Sequence, residues 1–165
     1  YLNGIFEMKR HFPIFVSQPY IYIANNYDNV NCLIRELPQH SFGLKMLFPL
    51  IALSGLKFLR PELTAFPLYV TKTELTTVTL IYDAWYDFGI LGVVIFCAIL
   101  GFVAAGFERK LREQHSPVFC MLYAQFSIYI MLSFFTTWFS NPATWVYFLE
   151  TGLIAWFIGG KRQWG

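Results

Sequence analysis

The chain has 165 residues, of which 56% are hydrophobic, 20% aromatic and only 13% charged, with a mean hydropathy of +0.48. This is too apolar and too poor in charge for an ordinary soluble domain. A net charge of +2 without any basic run excludes nucleic acid as an expected partner, and Cys97 and Cys120 in apolar runs with Cys32 alone exclude a disulfide or metal framework.

The chain begins at Tyr1 without an initiator methionine, and Tyr1 to Phe6 has the pattern of neither a signal peptide nor a transmembrane start. It reads as the C-terminal part of a longer polytopic protein, so the remainder of the same chain and the membrane lipids are expected partners. FPIFVSQPYIYIA has the proline-broken, aromatic and β-branched character of an extended segment or short interfacial element. NNYDNVN after it reads as a turn, and Asn31 to Leu37 as a short helix. In LKMLFPLIALSGLKFLR the uncharged run between Lys45 and Lys57 is too short to cross a bilayer. Leu44 to Leu59 is therefore expected to be an interfacial or re-entrant helix, bent or interrupted near Pro49. FPLYVTKTELTTVTLIY is rich in β-branched residues, which favour an extended approach to the first long apolar run.

Trp85 to Lys110 carries the strongest signal: an aromatic and acidic entry, a long uncharged run and an abrupt basic exit. As a helix, Phe88 to Phe107 covers ~30 Å, the thickness of the hydrocarbon core. Pro117 to Phe139 has no charge and Pro142 to Ile158 only Glu150, so both are also long enough to cross, the latter at the short end of the range. The expected fold is an all-α polytopic membrane protein. Residues 1–87 form an extracytoplasmic region of short interfacial helices and extended segments, residues 88–160 hold three transmembrane helices (88–107, 117–139 and 142–158), and 161–165 form a cytoplasmic tail. Orientation follows from Arg109, Lys110 and Arg112 after the first span and Lys161 and Arg162 after the third, which the positive-inside rule places in the cytoplasm. Tyr82, Trp85, Tyr86, Trp138, Trp145 and Tyr147 then make an outer aromatic belt. Gly101 and Ala105, with Cys97 a turn earlier, read as a stripe for helix packing.

The segment YIYIANNYDNVNCLIRELPQHSFGLKMLFPL, the TELTTV approach and YDAWYDFGILGVVIFCAILGFVAAGFERK with two closing spans together resemble the C-terminal part of bacterial oligosaccharide repeat-unit polymerases, the Wzy-like O-antigen, capsule and exopolysaccharide enzymes. The resemblance rests on Tyr82, Asp87, Phe88, Gly89, Gly92 and Gly101, and more loosely on Tyr20, Tyr22, Gly43 and Pro49. The Arg-x10-Gly pattern of some such polymerases is absent, so no catalytic arginine carries over by motif. What the resemblance implies is a multi-pass protein of the bacterial inner membrane that moves a growing glycan from undecaprenyl pyrophosphate onto an incoming lipid-linked repeat. A lipid-linked oligosaccharide would be the substrate, a flippase and a chain-length regulator would be partners, and no cofactor is implied. Related O-antigen ligases share the donor chemistry and are not separated by composition or spacing. A transporter or a purely structural membrane subunit are the non-enzymatic alternatives, the first hinted at only by Glu150.

Sugar transfer needs a carboxylate or imidazole to accept the attacking hydroxyl's proton, and cations to meet the charge on the departing pyrophosphate. The candidate proton acceptors are Asp87, Asp83 and His40. Asp87 also reads as a helix N-cap, and a loop histidine such as His40 also reads as a solvated or capping residue. The cations considered are Arg10, Arg35, Lys57 and Arg60, with snorkelling as the plain alternative. Tyr20, Tyr22 and Trp85 have the faces to stack on sugar rings, or to anchor at the interface. Glu150, an ionisable residue inside a span, marks either a protein interior or a wet site.

Overall fold

The computed structural model describes Gly4 and residues 12–114, 117–134 and 136–160. Arg10 and the basic tail at 161–165 lie outside the described residues. Among those described, the chain is all-helical, with no strand. Helices within the described residues run in order: α1 (Ile14–Glu36), α2 (Phe48–Leu53), α3 (Leu56–Leu59), α4 (Ile81–Gln114), α5 (Pro117–Met131) and α6 (Pro142–Gly160), with short 3-10 turns at Pro61–Thr64 and Trp138–Ser140.

Helix α1 replaces the extended segment, turn and short helix expected between Phe12 and Leu37. It runs through Pro19, which has no amide to donate, and through the asparagines that read as a turn. Its buried face explains why: Asn25, Asn26 and Asn29 point inward and bond the protein rather than their own backbone. Two amides grip the irregular strap 65–80, through Asn25 Nδ2 to the Leu75 carbonyl at 2.9 Å and Asn29 Nδ2 to the Thr77 carbonyl at 2.9 Å. Asn29 Oδ1 in turn accepts the Thr71 amide at 2.9 Å. The strap is irregular, with a turn at Thr73–Glu74, and is held by side chains rather than by a strand. Tyr82 clasps its other end, its hydroxyl accepting from the Tyr69 amide and donating to the Tyr69 carbonyl, both at 2.9 Å.

The break in the Leu44–Leu59 region falls at Gly55, not at Pro49 as expected. Gly55 adopts the left-handed conformation (φ 77°) between α2 and α3, whereas Pro49 sits in the first turn of α2, where a missing amide costs nothing.

Helix α4 is the one helix among the described residues long and apolar enough to cross a membrane. Its apolar surface is largely unburied: Ile90, Leu91, Val94, Ile95, Ile99 and Phe102 are all exposed, unlike the core helix of a soluble protein. The apolar stretch Phe88–Phe107 matches a bilayer core in length, as expected, but the helix starts earlier, at Ile81, and kinks at Gly89 (φ 61°, ψ −146°). The second expected span is cut short. Helix α5 ends at Met131, about 22 Å long, and the chain then turns, its Ser133 carbonyl accepting the Leu80 amide at 2.9 Å and its Phe134 carbonyl the Asn26 side chain at 2.8 Å. Helix α6 covers the third expected segment. Gly101 and Ala105 are exposed and a Cβ at Gly101 would meet nothing, so the small-residue stripe makes no packing contact among the described residues.

The buried centre lies where α1 crosses the start of α4: Val30 and Leu33 against Tyr82 and Tyr86, with Phe66, Tyr69 and Trp85 around them. Helix α4 packs on α5, α5 on α6, and α6 on α2, which brings the 42–48 turn over the α4 kink.

Candidate functional site

The glycines of YDFGILG build the kink that organises the site. Gly89 occupies a backbone region open essentially to glycine alone. Three residues on, a Cβ at Gly92 would stand 2.4 Å from the Ala84 carbonyl oxygen, so the two halves of α4 approach this closely only because Gly92 has no side chain. The break frees carbonyls of the first half, and the loop before α2 takes them up. Ser41 N–H donates to the Tyr86 carbonyl and Phe42 N–H to the Asp87 carbonyl, both at 3.2 Å.

Asp87 returns the bond. Its carboxylate is fully buried and accepts the Met46 amide at 2.7 Å, the Lys45 amide at 3.1 Å and the Ser41 hydroxyl. It does not cap the start of the span, as its place in the sequence suggested, because both of its oxygens are taken by Ser41, Lys45 and Met46; it caps the turn leading into α2 instead. His40 is half-buried on the same loop. Its Nδ1 lies 3.2 Å from the Tyr86 carbonyl, and its Nε2 would be 3.2 Å from a Cβ at Gly89. It packs against the kink.

One turn before Asp87, Asp83 points elsewhere. It is buried, with Lys45 Nζ 3.7 Å from its Oδ1 and the Thr137 and Ser140 side chains close enough to favour its charge. Burial disfavours its negative charge, while the ammonium and the two hydroxyls support it. The Lys45 ammonium is itself held among aromatic faces, 4.5 Å from the Tyr86 ring centroid, 5.3 Å from Phe66 and 5.6 Å from Tyr82. This pair lines an open cleft of about 290 Å³, walled by Phe66 and Tyr82 and rimmed by Thr64, Thr137 and Ser140. Such a mix of ring faces, hydroxyls and one carboxylate–ammonium pair suits a ligand rich in hydroxyls with apolar ring faces.

The other sequence candidates lie apart from this cleft. Arg35 is exposed, Arg60 is an exposed partner of Glu62 at 3.9 Å, and Lys57 lies over Phe58. Tyr20 is exposed and Tyr22 half-buried on α1, while Trp85 packs on the central cluster. Glu150 is exposed on α6. Burial pushes the Cys32 thiol up, and the neighbouring Glu36 adds to it, which disfavours the thiolate. Lys45, Thr137 and Ser140 were missed by sequence reasoning. Lys45 served only to bound an apolar run, and Thr137 and Ser140 fell within or beside an expected span. Among the described residues no cluster of His, Cys, Asp and Glu has the makings of a metal site.

No protein-family model, no curated protein and no solved structure matches this chain.

Proposed function

We propose that the chain is part of a membrane glycosyltransferase that joins lipid-linked oligosaccharide repeats into a surface polysaccharide. The observation that carries this reading is the buried Asp83–Lys45 pair opening into an aromatic-walled cleft at the head of α4, a helix long and apolar enough to cross a membrane. In this reading Asp83 accepts the proton of the attacking sugar hydroxyl, and Lys45 faces the diphosphate that leaves. Asp83 suits the role better than Asp87, whose two oxygens are committed to Ser41, Lys45 and Met46. The sugar's apolar face would stack on Phe66, and Thr64, Thr137 and Ser140 would take its hydroxyls.

The membrane placement belongs to the same proposal. Phe88–Phe107 crosses once, α5 with the turn after it crosses back, and α6 crosses again, with residues 1–87 extracytoplasmic and the basic end of α4 in the cytoplasm of a bacterial inner membrane. On a background without Cys32, Cys97 and Cys120, a membrane-impermeant thiol reagent should label a cysteine at Gln39 and spare one at Gln114. The reverse would invert the topology.

The function is tested by Asp83→Asn in the intact protein, read as glycan chain length in cells alongside the level of protein in the membrane. Loss of polymer at normal protein level supports the assignment. Normal-length polymer would remove Asp83 from the chemistry, and a loss of ligation with polymer intact would point to a ligase.

A further inference from the structure

Two cavities meet at Ser140. One is the polar cleft of Asp83 and Lys45. The other, about 330 Å³, lies among α4, α5 and α6 and is lined by Phe96, Leu100, Val103, Phe126 and Phe148, together with Met46 and Ser140. Ser140 supplies the one hydroxyl of its aliphatic side-chain lining. Lys45 and Met46 are consecutive, so one residue sends an ammonium into the cleft and the next a thioether into the groove. Along α4 the groove runs from Phe96 to Phe107, ~16 Å of helix. A free sugar has no use for an apolar extension of this length, and a plain lipid-facing surface has none for an ion pair at its end. The two together suit an amphiphile, with its hydrocarbon chain in the groove and its polar head in the cleft.

We infer that the groove seats the hydrocarbon chain of the donor, the lipid diphosphate whose glycan is transferred, and not that of the acceptor; this rests on the glycosyl-transfer reading above. The distinction follows from covalent connectivity. In the donor, the carbon under attack is separated from the lipid by the diphosphate alone, so a reaction beside Asp83 and Lys45 puts the start of the chain at the neighbouring cavity. In the acceptor, the attacking hydroxyl is on a sugar remote from its own diphosphate, and its lipid is held away from the cleft by the intervening sugars. In the transfer the bond from the anomeric carbon to the diphosphate oxygen breaks and its electron pair leaves with the diphosphate. The acceptor oxygen bonds to that carbon, and the acceptor proton passes to Asp83. Lys45 meets the diphosphate charge.

The test uses the intact protein in native membranes. A polyisoprenyl-diphosphate saccharide with a diazirine in its distal isoprene is photolysed, and the labelled residues are located by mass spectrometry. Label should fall on groove residues such as Val103 and Phe126. Val103→Trp, which fills the groove, should cut labelling about tenfold, while Phe102→Trp on the exposed face should not. Two further substrates separate donor from acceptor: a repeat methylated on its acceptor hydroxyl serves only as donor, and one with a methylene in place of the scissile oxygen serves only as acceptor. Val103→Trp should raise KM for the donor-only substrate about tenfold and change that for the acceptor-only substrate by less than about twofold. The opposite pattern overturns the donor assignment. Label spread over all faces of α4, or found elsewhere while transfer proceeds, overturns the groove alone. Groove labelling by a wild-type protein that transfers no sugar overturns the glycosyl-transfer reading and the donor assignment with it.

Discussion

The Asp87 carboxylate on α4 accepts the Met46 amide at 2.7 Å, so a side chain of one helix caps the turn that leads into another. With the Lys45 amide at 3.1 Å and the Ser41 hydroxyl it gathers three donors in a fully buried place. Each donor would lack a partner without it. Asp87→Ala should therefore cost about 3 kcal/mol or more, because several buried donors are left unsatisfied. Asp87→Asn keeps an acceptor but turns an NH2 toward a donor, for a loss of about 1–3 kcal/mol. Thermal unfolding in detergent would rank the two below wild type in that order. An Asn variant as stable as wild type would mean that the carboxylate does not cap this turn.

Glycine is required at two places in α4 and not at two others. Gly92→Ala would drive a Cβ to 2.4 Å from the Ala84 carbonyl and 2.7 Å from Phe88 Cβ. Gly89→Ala would hold an L-residue at φ 61°, ψ −146° with His40 Nε2 3.2 Å from its Cβ. Both should lower the protein level in the membrane sharply. At Gly101 and Gly106 a Cβ meets nothing, so alanine there should be neutral or stabilising by up to ~1 kcal/mol. Equal effects at all four positions would show that the kink is absent in the membrane.

The strap 65–80 depends on α1. Asn29 donates to the Leu75 and Thr77 carbonyls at 3.3 and 2.9 Å and accepts from the Thr71 amide and hydroxyl. Asn29→Asp would set a carboxylate oxygen against two carbonyls, and Asn29→Leu would take the partner from the Thr77 carbonyl and from the Thr71 amide and hydroxyl, the Leu75 carbonyl keeping its bond from Asn25. Either should release the strap, read as at least about tenfold faster proteolysis at Lys72 under conditions that leave the rest intact. Asn26→Ala, which removes only the bond to the Phe134 carbonyl, should leave the strap protected.

The apolar stretch of α4 was legible because a long uncharged run has few other uses, and its basic end because charge stops abruptly there. Helix α1 was hidden by Pro19 and by asparagines that favour turns when read locally. The signal that outweighs them is the four-residue spacing of Ser17, Ile21, Asn25, Asn29 and Leu33, all buried. Three are polar, so a hydrophobic pattern does not register them, and the partners of Asn25 and Asn29 lie some 42–50 residues away. The site divides in the same way. Asp87 and the glycines of YDFGILG stood out through the family resemblance, but which carboxylate faces a cleft depends on the kink. Lys45, Thr137 and Ser140 reach Asp83 only through packing between segments distant in sequence.

Asp83 and Lys45 should be coupled in stability and not in activity. Lys45→Met removes the ammonium 3.7 Å from a buried carboxylate while keeping an apolar stem among Phe66, Tyr82 and Tyr86. It leaves Asp83 uncompensated and should cost about 3 kcal/mol, the usual result of breaking one side of a buried pair. Asp83→Asn alone strands the ammonium, though the aromatic faces still hold it, so its loss should be smaller, about 1–2 kcal/mol. The double variant buries no net charge and should recover at least half of the summed loss, a coupling of about 2 kcal/mol in a double-mutant cycle of thermal unfolding. Polymer synthesis should not recover with it. If the pair served the fold alone, the double variant would make normal-length glycan once it was stable; stable protein without polymer is the outcome that a proton acceptor and a diphosphate partner in the cleft require.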